Sequence, residues 1–366
     1  MKELVYLSIN MQHADGIYRK IQKQIQQFEE AGLKTELRMN SNRNLLTLYR
    51  HLIPFFSKQY YNTDIDWAKK DVVYLRHGPV VDQSMIHLLK KIKKENPKIL
   101  TVLEVATYPY IHEYPFYMRV LIQSKEFFTL SKLKKYVDRI VTYTDDEEIF
   151  DIPCINIHNS YEFPKALEVS EDKSKDKLSM IAAASLMPYH GYDRLLMGMA
   201  NYYRYPENKR KLHFTLIGEG KVLDSYKEIV KKYNLSDYVE FTGRKAKEEL
   251  SFYYKKADLA IGSLGFSRIK LLKASPLKTK EYMAYGLPFI YAYTDDQAIE
   301  ESDYFMKFTR DESPIDILEL LKFYDGLLLE KTKVELSNEI FEFAKKTFDF
   351  KIAYQPVVSY IMENEK

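Results

Sequence analysis

The sequence predicts an α/β protein made of two doubly wound units, each a mostly parallel sheet with helices on both faces. Three observations point there. The chain has 366 residues, too long for one ordinary core and comfortable for two. Short apolar runs alternate with amphipathic helical stretches, the rhythm of strand–helix–strand units around a parallel sheet. That rhythm breaks at a polar, charge-mixed stretch, Glu162–Lys177, and then restarts. The expected division is 1–165 for the first unit, 166–347 for the second, and a closing helical piece at 348–366.

In the first unit LVYLSI (Leu4–Ile9) reads as a strand. Gly16–Ala31 follows as a helix, with Ile17, Ile21, Ile25 and Phe28 at helical spacing. Gly32 ends it, and LKTELRM (Leu33–Met39) alternates as a second strand. A helix is expected over Asn44–Ser57, then a buried strand DVVYLR (Asp71–Arg76), a helix over Val81–Glu95 and a strand KILTVLEV (Lys98–Val105). RIVTYT (Arg139–Thr144) and CINIHN (Cys154–Asn159) complete the unit.

The second unit repeats the order. LSMIAAAS (Leu178–Ser185), LHFTLIG (Leu212–Gly218), YVEFTG (Tyr238–Gly243) and ADLAIGS (Ala257–Ser263) are strands. Helices are expected at Tyr192–Tyr203, Val222–Tyr233 and Lys247–Lys255. SPLKTKEYMAYGLPFI (Ser275–Ile290) supplies a further loop, helix and strand; Gly286 and Pro288 are ordinary helix-stop signals. Ile315–Tyr324, Lys331–Thr347 and an amphipathic Ile352–Met362 close the chain.

Composition bounds the function class. The chain is 46% hydrophobic and 29% charged, which is globular rather than disordered. No apolar run approaches the ~18–20 residues that span a bilayer. MKELVYLSIN passes directly into a strand, unlike a signal peptide, and the single Cys154 fits a reducing compartment, so a cytoplasmic protein is expected. Net charge is only +3, but residues 1–165 hold 24 Lys and Arg against 20 Asp and Glu, concentrated in LLKKIKKENPK and LSKLKKY. Such runs are ordinarily solvated helix faces; the sharper expectation is peripheral contact with anionic headgroups on the inner face of the cell membrane. No nucleic-acid partner is expected.

SPLKTKEYMAYG is the stretch with the most chemistry in it. A helix N-terminus offers free N–H groups and a positive dipole end to an anion, and Glu281 one turn in could grip sugar hydroxyls. A capped helix with a surface glutamate fits the same residues. LIGEG (Leu216–Gly220) places Gly218 in a strand-to-helix turn that either meets a nucleotide or simply turns the chain. Arg244 follows Gly243 at another strand end. There is no G-x-G-x-x-G, Walker loop, H-E-x-x-H or nucleophile elbow. A nicotinamide-linked dehydrogenase therefore lacks its fingerprint.

Five segments in order, MPYHGYDRLL, FTLIGEG, VEFTGR, ADLAIGSLGFSR and SPLKTKEYMAYGLPFI, resemble the retaining GT-B glycosyltransferases of family four, of the bacterial exopolysaccharide and capsule type. The likeness runs over about Leu178–Ile299 and is looser in the first half, at Gly16, DVVYLRHG and LEVATYPY. It implies two Rossmann-like domains facing a cleft, with a final helix crossing back to the first. It also implies transfer of a hexose-type sugar from a nucleotide diphosphate, a UDP-sugar, to a saccharide or lipid-linked acceptor, with retention and no cofactor or metal.

By the same resemblance, Glu281 matches the second glutamate of the E-x7-E motif, which binds the ribose. Ser275–Lys278 match the loop that meets the donor sugar and β-phosphate, with Leu277 packing nearby. The sequence departs at three charged positions: Lys273 stands for the first glutamate, and Ser185 and His190 for the arginine and lysine that neutralise the diphosphate. Arg194, Arg244, Arg268, Lys273 and Lys278 are the candidate replacements, Arg268 and Lys278 first, and His190 could donate a hydrogen bond if protonated or in the right tautomer. Asp295 and Asp296 read as a turn rather than a metal pair. On the acceptor side, His13, Asp15, Gly16, Arg76, His77, Glu104 and Tyr108 follow strands; Glu104 and His77, with Lys278 of the donor loop, are the catalytic candidates, although a buried structural Glu104 fits equally. The alternative function is a non-catalytic nucleotide-sugar-binding or scaffolding subunit.

Overall fold

The computed structural model describes residues 1–9, 15–40, 64–76, 80–106, 108–113, 116–169, 176–207 and 210–364. They form two compact units, Met1–His158 with Phe350–Lys366, and Asn159–Asp349. The expected helix over Asn44–Ser57 lies outside the described residues, as do His13 and His77.

The first unit is a seven-stranded sheet. Its strands are β1 (Glu3–Ile9), β2 (Lys34–Asn40), β3 (Val72–Arg76), β4 (Leu100–Val105), β5 (Arg139–Thr142), β6 (Glu148–Ile149) and β7 (Ile152–Asn156), in the order β2-β1-β3-β4-β5-β7-β6. All pairings are parallel except β6 on β7. β3 and β4 are buried along their whole length, which is why they read as continuous apolar runs rather than alternating ones. One face packs Val5, Leu7, Val73, Leu75 and Leu103 under helix α2 (Gln83–Glu95). The other packs Leu4, Tyr6, Tyr74 and Val102 under α1 (Asp15–Glu30). Asp82 caps α2, accepting from the Met85 N–H at 3.0 Å. Helices α3 (Phe116–Glu126) and α4 (Leu130–Leu133), which the sequence reading does not assign, follow.

The second unit is a six-stranded, all-parallel sheet of β8 (Lys177–Ala183), β9 (Lys211–Ile217), β10 (Val239–Gly243), β11 (Leu259–Ile261), β12 (Phe289–Tyr291) and β13 (Phe305–Lys307). Its order is β10-β9-β8-β11-β12-β13. This is the doubly wound dinucleotide-fold order, with the winding reversing between β8 and β11. Helices α5 (Tyr192–Tyr202), α6 (Leu223–Lys232) and α10 (Ile317–Leu327) cover one face. α7 (Lys247–Lys256), α8 (Leu277–Ala284) and α11 (Lys333–Phe348) cover the other, and α9 (Gln297–Glu300) precedes β13.

The last helix, α12 (Phe350–Glu363), belongs to the first unit, as the resemblance implies. It buries Tyr354, Val357, Val358 and Ile361 beside Leu4, Tyr6 and Phe28. Among the described residues no helix is long and apolar enough to cross a membrane.

Glu104 lies at the polar centre of the first unit. It is fully buried on β4 and accepts four hydrogen bonds, from Arg76 (2.6 Å), Tyr74 (2.9 Å), Gln24 (2.9 Å) and Tyr143 (3.1 Å). Burial alone would raise its pKa; Arg76, Lys20 and the Tyr74 and Gln24 bonds outweigh it and hold it below the carboxylate range. This carboxylate ties α1, β3, β4 and the end of β5 together, and its acceptor positions are occupied from within the unit. That favours the structural of the two readings. Glu104→Ala should leave Arg76 buried without its partner and cost about 3–5 kcal/mol of stability in urea unfolding.

Candidate functional site

The described residues that chemistry singles out gather at the carboxyl ends of β8 and β11, where the winding of the second sheet reverses. Open α/β sheets bind ligands at this place, because adjacent loops leave it in opposite directions. After β8 the chain makes a one-turn 3-10 helix, Pro188–His190, and enters α5 through Gly191 in the left-handed conformation (φ +66°). A Cβ there would lie 2.6 Å from the Gly265 nitrogen, so only glycine lets the two loops touch. The Leu264 N–H donates to the His190 carbonyl at 2.8 Å and completes the contact.

His190 is buried, and its Nδ1 accepts from the Met187 N–H at 3.1 Å. The ring proton therefore sits on Nε2. Burial, with nearby Lys278, pushes the pKa down to about 3, so His190 is a neutral donor and not a cation. Its ring stacks on Tyr192, with centroids 5.6 Å apart.

Helix α8 begins after Pro276 with no side-chain cap. Lys278 in its first turn donates to the Tyr192 hydroxyl at 2.8 Å, and burial pulls its pKa down to about 7 against the opposing pull of Glu281. Glu281, one turn on, is half-buried and accepts from the Tyr161 hydroxyl at 3.3 Å. Lys278 and Glu281 thus share one helix edge at i, i+3. Leu277 is 52% exposed beside them.

A buried ion cluster holds this loop. Lys280, with no exposed side-chain area, pairs with Asp296 at 2.6 Å and Asp295 at 3.0 Å. Asp295 also accepts from Tyr293 (2.9 Å), and Asp296 from the Ser275 hydroxyl (2.7 Å). Burial pushes the Asp295 carboxyl up and Lys280 opposes it. Asn159 donates to the Ser275 carbonyl at 2.8 Å. The two aspartates, expected to form a plain turn, are instead the anchor of the loop. A lysine at i and an aspartate pair after the next strand offered only a weak signal, since burial decides their meaning.

Several expected cations are already committed. Arg268 forms a bidentate pair with Asp193 (2.9 and 2.7 Å) and binds Glu312 and the Pro188 carbonyl. Arg194 is 2% exposed and spends its guanidinium on the carbonyls of Leu264, Thr309 and Ser313 and on Asp311. Arg194 thus clamps the surrounding loops, and two carboxylates offset the charge of Arg268. Lys273 is exposed and bridges Thr294 through its backbone. Arg244 is exposed, and among the described residues no carboxylate pairs with it.

Gly218 has a structural reason of its own. At φ +132° a Cβ would lie 1.8 Å from the Ala184 carbonyl oxygen, because the LIGEG turn runs against the end of β8. Its N–H donates to the Gly243 carbonyl at 2.9 Å, which sets Arg244 beside the same turn. Gly16 lies in the first turn of α1 in the other unit. Among the described residues no group of three or more His, Cys, Asp or Glu is placed to hold a metal ion. A cavity of about 630 Å³ beyond β13, lined by Tyr304, Lys331 and Phe343 among others, contains none of these residues.

Two stability predictions follow from this geometry. Lys280→Met should cost about 3–5 kcal/mol in urea unfolding, because it leaves two buried carboxylates without their cation. Gly218→Ala should cost about 2–4 kcal/mol through the clash and the strained backbone.

Residues 165–298 match the family model of glycosyl transferases group 1. No curated protein matches the chain by sequence. Among solved structures, a glycosyltransferase from Rickettsia africae ESF-5 is similar at TM-score 0.63 and 10% identity, covering 99% of each chain. Anabaena HepE, solved with UDP, is similar at TM-score 0.61 and 12% identity over 100% of each chain. The lipopolysaccharide outer core galactosyltransferase WaaB is similar at 0.60 and 12% over 99% of each. The fold is GT-B.

Proposed function

We propose that this protein is a glycosyltransferase that takes a hexose-type sugar from a UDP-sugar and delivers it, with retention, to a saccharide or lipid-linked acceptor in cell-surface polysaccharide synthesis. One observation carries the reading. At the switch point of the second sheet, a carboxylate suited to ribose hydroxyls and a half-buried lysine share the first turns of one helix, on a loop pinned by a buried ion cluster. The group 1 match over this unit supports it, and so does the likeness to HepE, which was solved with UDP and with UDP-glucose.

In this reading Glu281 accepts from the ribose hydroxyls, and the free N–H groups of the Leu277–Thr279 turn meet the β-phosphate. Lys278 and Arg244 supply the positive charge, with the His190 Nε2–H as a neutral donor. These groups stabilise the charge that develops as the sugar–phosphate bond breaks. The departing β-phosphate oxygen takes the proton of the acceptor hydroxyl as the new bond forms on the same face of the sugar. No protein nucleophile is needed. The charge is supplied by side chains, so chelation with EDTA should leave UDP binding unchanged.

Thermal shift and calorimetry with a panel of nucleotides test the proposal, since a specific ligand raises stability by RT ln(1 + [L]/Kd). UDP should stabilise the protein, and Glu281→Ala should weaken it about 10-fold or more, the loss of a charge-assisted hydrogen-bond pair. Lys278→Met should weaken UDP but not uridine. A chain that no nucleoside diphosphate stabilises would sink the proposal.

The pH dependence has a definite sign. Lys278 is charged below about 7 in the free protein and neutral above, so UDP affinity should fall as pH rises from 6 to 9. Lys278→Met should flatten that profile.

The commitment of Arg268 and Arg194 favours a second reading, a nucleotide-sugar-binding subunit without turnover. UDP-sugar binding with neither transfer nor donor hydrolysis, across a panel of sugars, would select it.

A further inference from the structure

We propose that the corner formed by α3 and α4 in the first unit docks on an anionic lipid surface. Two bulky rings project there: Phe127 is 77% exposed and Phe128 53%, packed edge to face at 5.2 Å. Val120, 53% exposed, and Leu121, 37%, extend the apolar surface along α3. Burying such rings is ordinarily favourable, so their exposure beside one another is a feature to be explained.

The stretch that carries them has a basic surplus. From Phe116 to Tyr136 the chain carries Arg119, Lys125, Lys132, Lys134 and Lys135 against one acid, Glu126. That acid contributes no surface charge: it is buried, accepting from Tyr110 (2.6 Å) and the Val81 N–H (3.1 Å), and burial pushes its pKa up. Lys125 is likewise buried, 4.0 Å from Asp82. Lys135 is exposed, Lys132 half-buried, and Lys134 reaches Asp151 at 3.0 Å. The segment before α2 is bonded to this corner through Val81, and the last turns of α2 carry exposed Lys90, Lys91 and Lys94; its acid Glu95 lies 3.7 Å from Lys91.

Apolar rings to enter the headgroup boundary and a basic surround to hold phosphate oxygens are the two signals that reversible surface binding requires. An anionic bilayer satisfies both at once. The inference does not depend on the proposed catalytic reading.

Sedimentation of the full chain with vesicles tests it. The protein should partition onto phosphatidylglycerol-containing vesicles and remain free of phosphatidylcholine alone, with binding lost at high salt. Phe127→Ser with Phe128→Ser should reduce partitioning at least about tenfold while the melting temperature is kept, because both rings are exposed. Lys132→Glu with Lys135→Glu should reduce it about fivefold or more per position. Absence of partitioning, or an aromatic variant that partitions like the parent, overturns the proposal. So does a parent dimer that the aromatic variant turns into a monomer while vesicles have no effect, since a second copy would then cover the corner.

Discussion

Lys280 and the two aspartates around it hold the loop on which the candidate site depends. An ammonium with no exposed surface is tolerated only because Asp295 and Asp296 both pair with it. Those aspartates follow β12, whereas Lys280 and Ser275 precede it, so the cluster joins the two ends of one β–α–β passage. Backbone bonds repeat the tie: the Ala274 N–H donates to the Thr294 carbonyl at 2.9 Å, and the Thr294 N–H to that of Leu272 at 3.0 Å. The first turn of α8 is therefore presented in one position, with Lys278 and Glu281 set by the helix itself.

The handling of positive charge follows from where the arginines are spent. Arg194 and Arg268 fasten the loops after β8, β11 and β13 to one another, and a guanidinium with several partners makes a rigid joint. Among the described residues, Lys278 and Arg244 are candidate cations that these joints do not use. Burial pulls the pKa of Lys278 down to about 7, and Glu281 opposes it.

The first unit solves a similar problem with the opposite sign. Glu104 is a buried anion surrounded by donors from three other elements, and α12, arriving from the far end of the chain, adds Tyr354 to the same aromatic cluster.

Local pattern was enough to find most of this architecture. Apolar runs such as DVVYLR and LSMIAAAS, helical spacing at Ile17–Phe28, and the Gly-Pro stop after α8 mark elements through their own periodicity. The sequence reading does not assign α3. The candidate loop was also visible, because its motifs lie close together along the chain. Tertiary packing alone decided which charges remain available. Asp193 meets Arg268 across 75 positions, Asp311 meets Arg194 across 117, and Lys280 is enclosed by aspartates that sequence reads as a turn. A pKa or a salt bridge depends on burial and on distance to partners far along the chain, and neither has a local period to read.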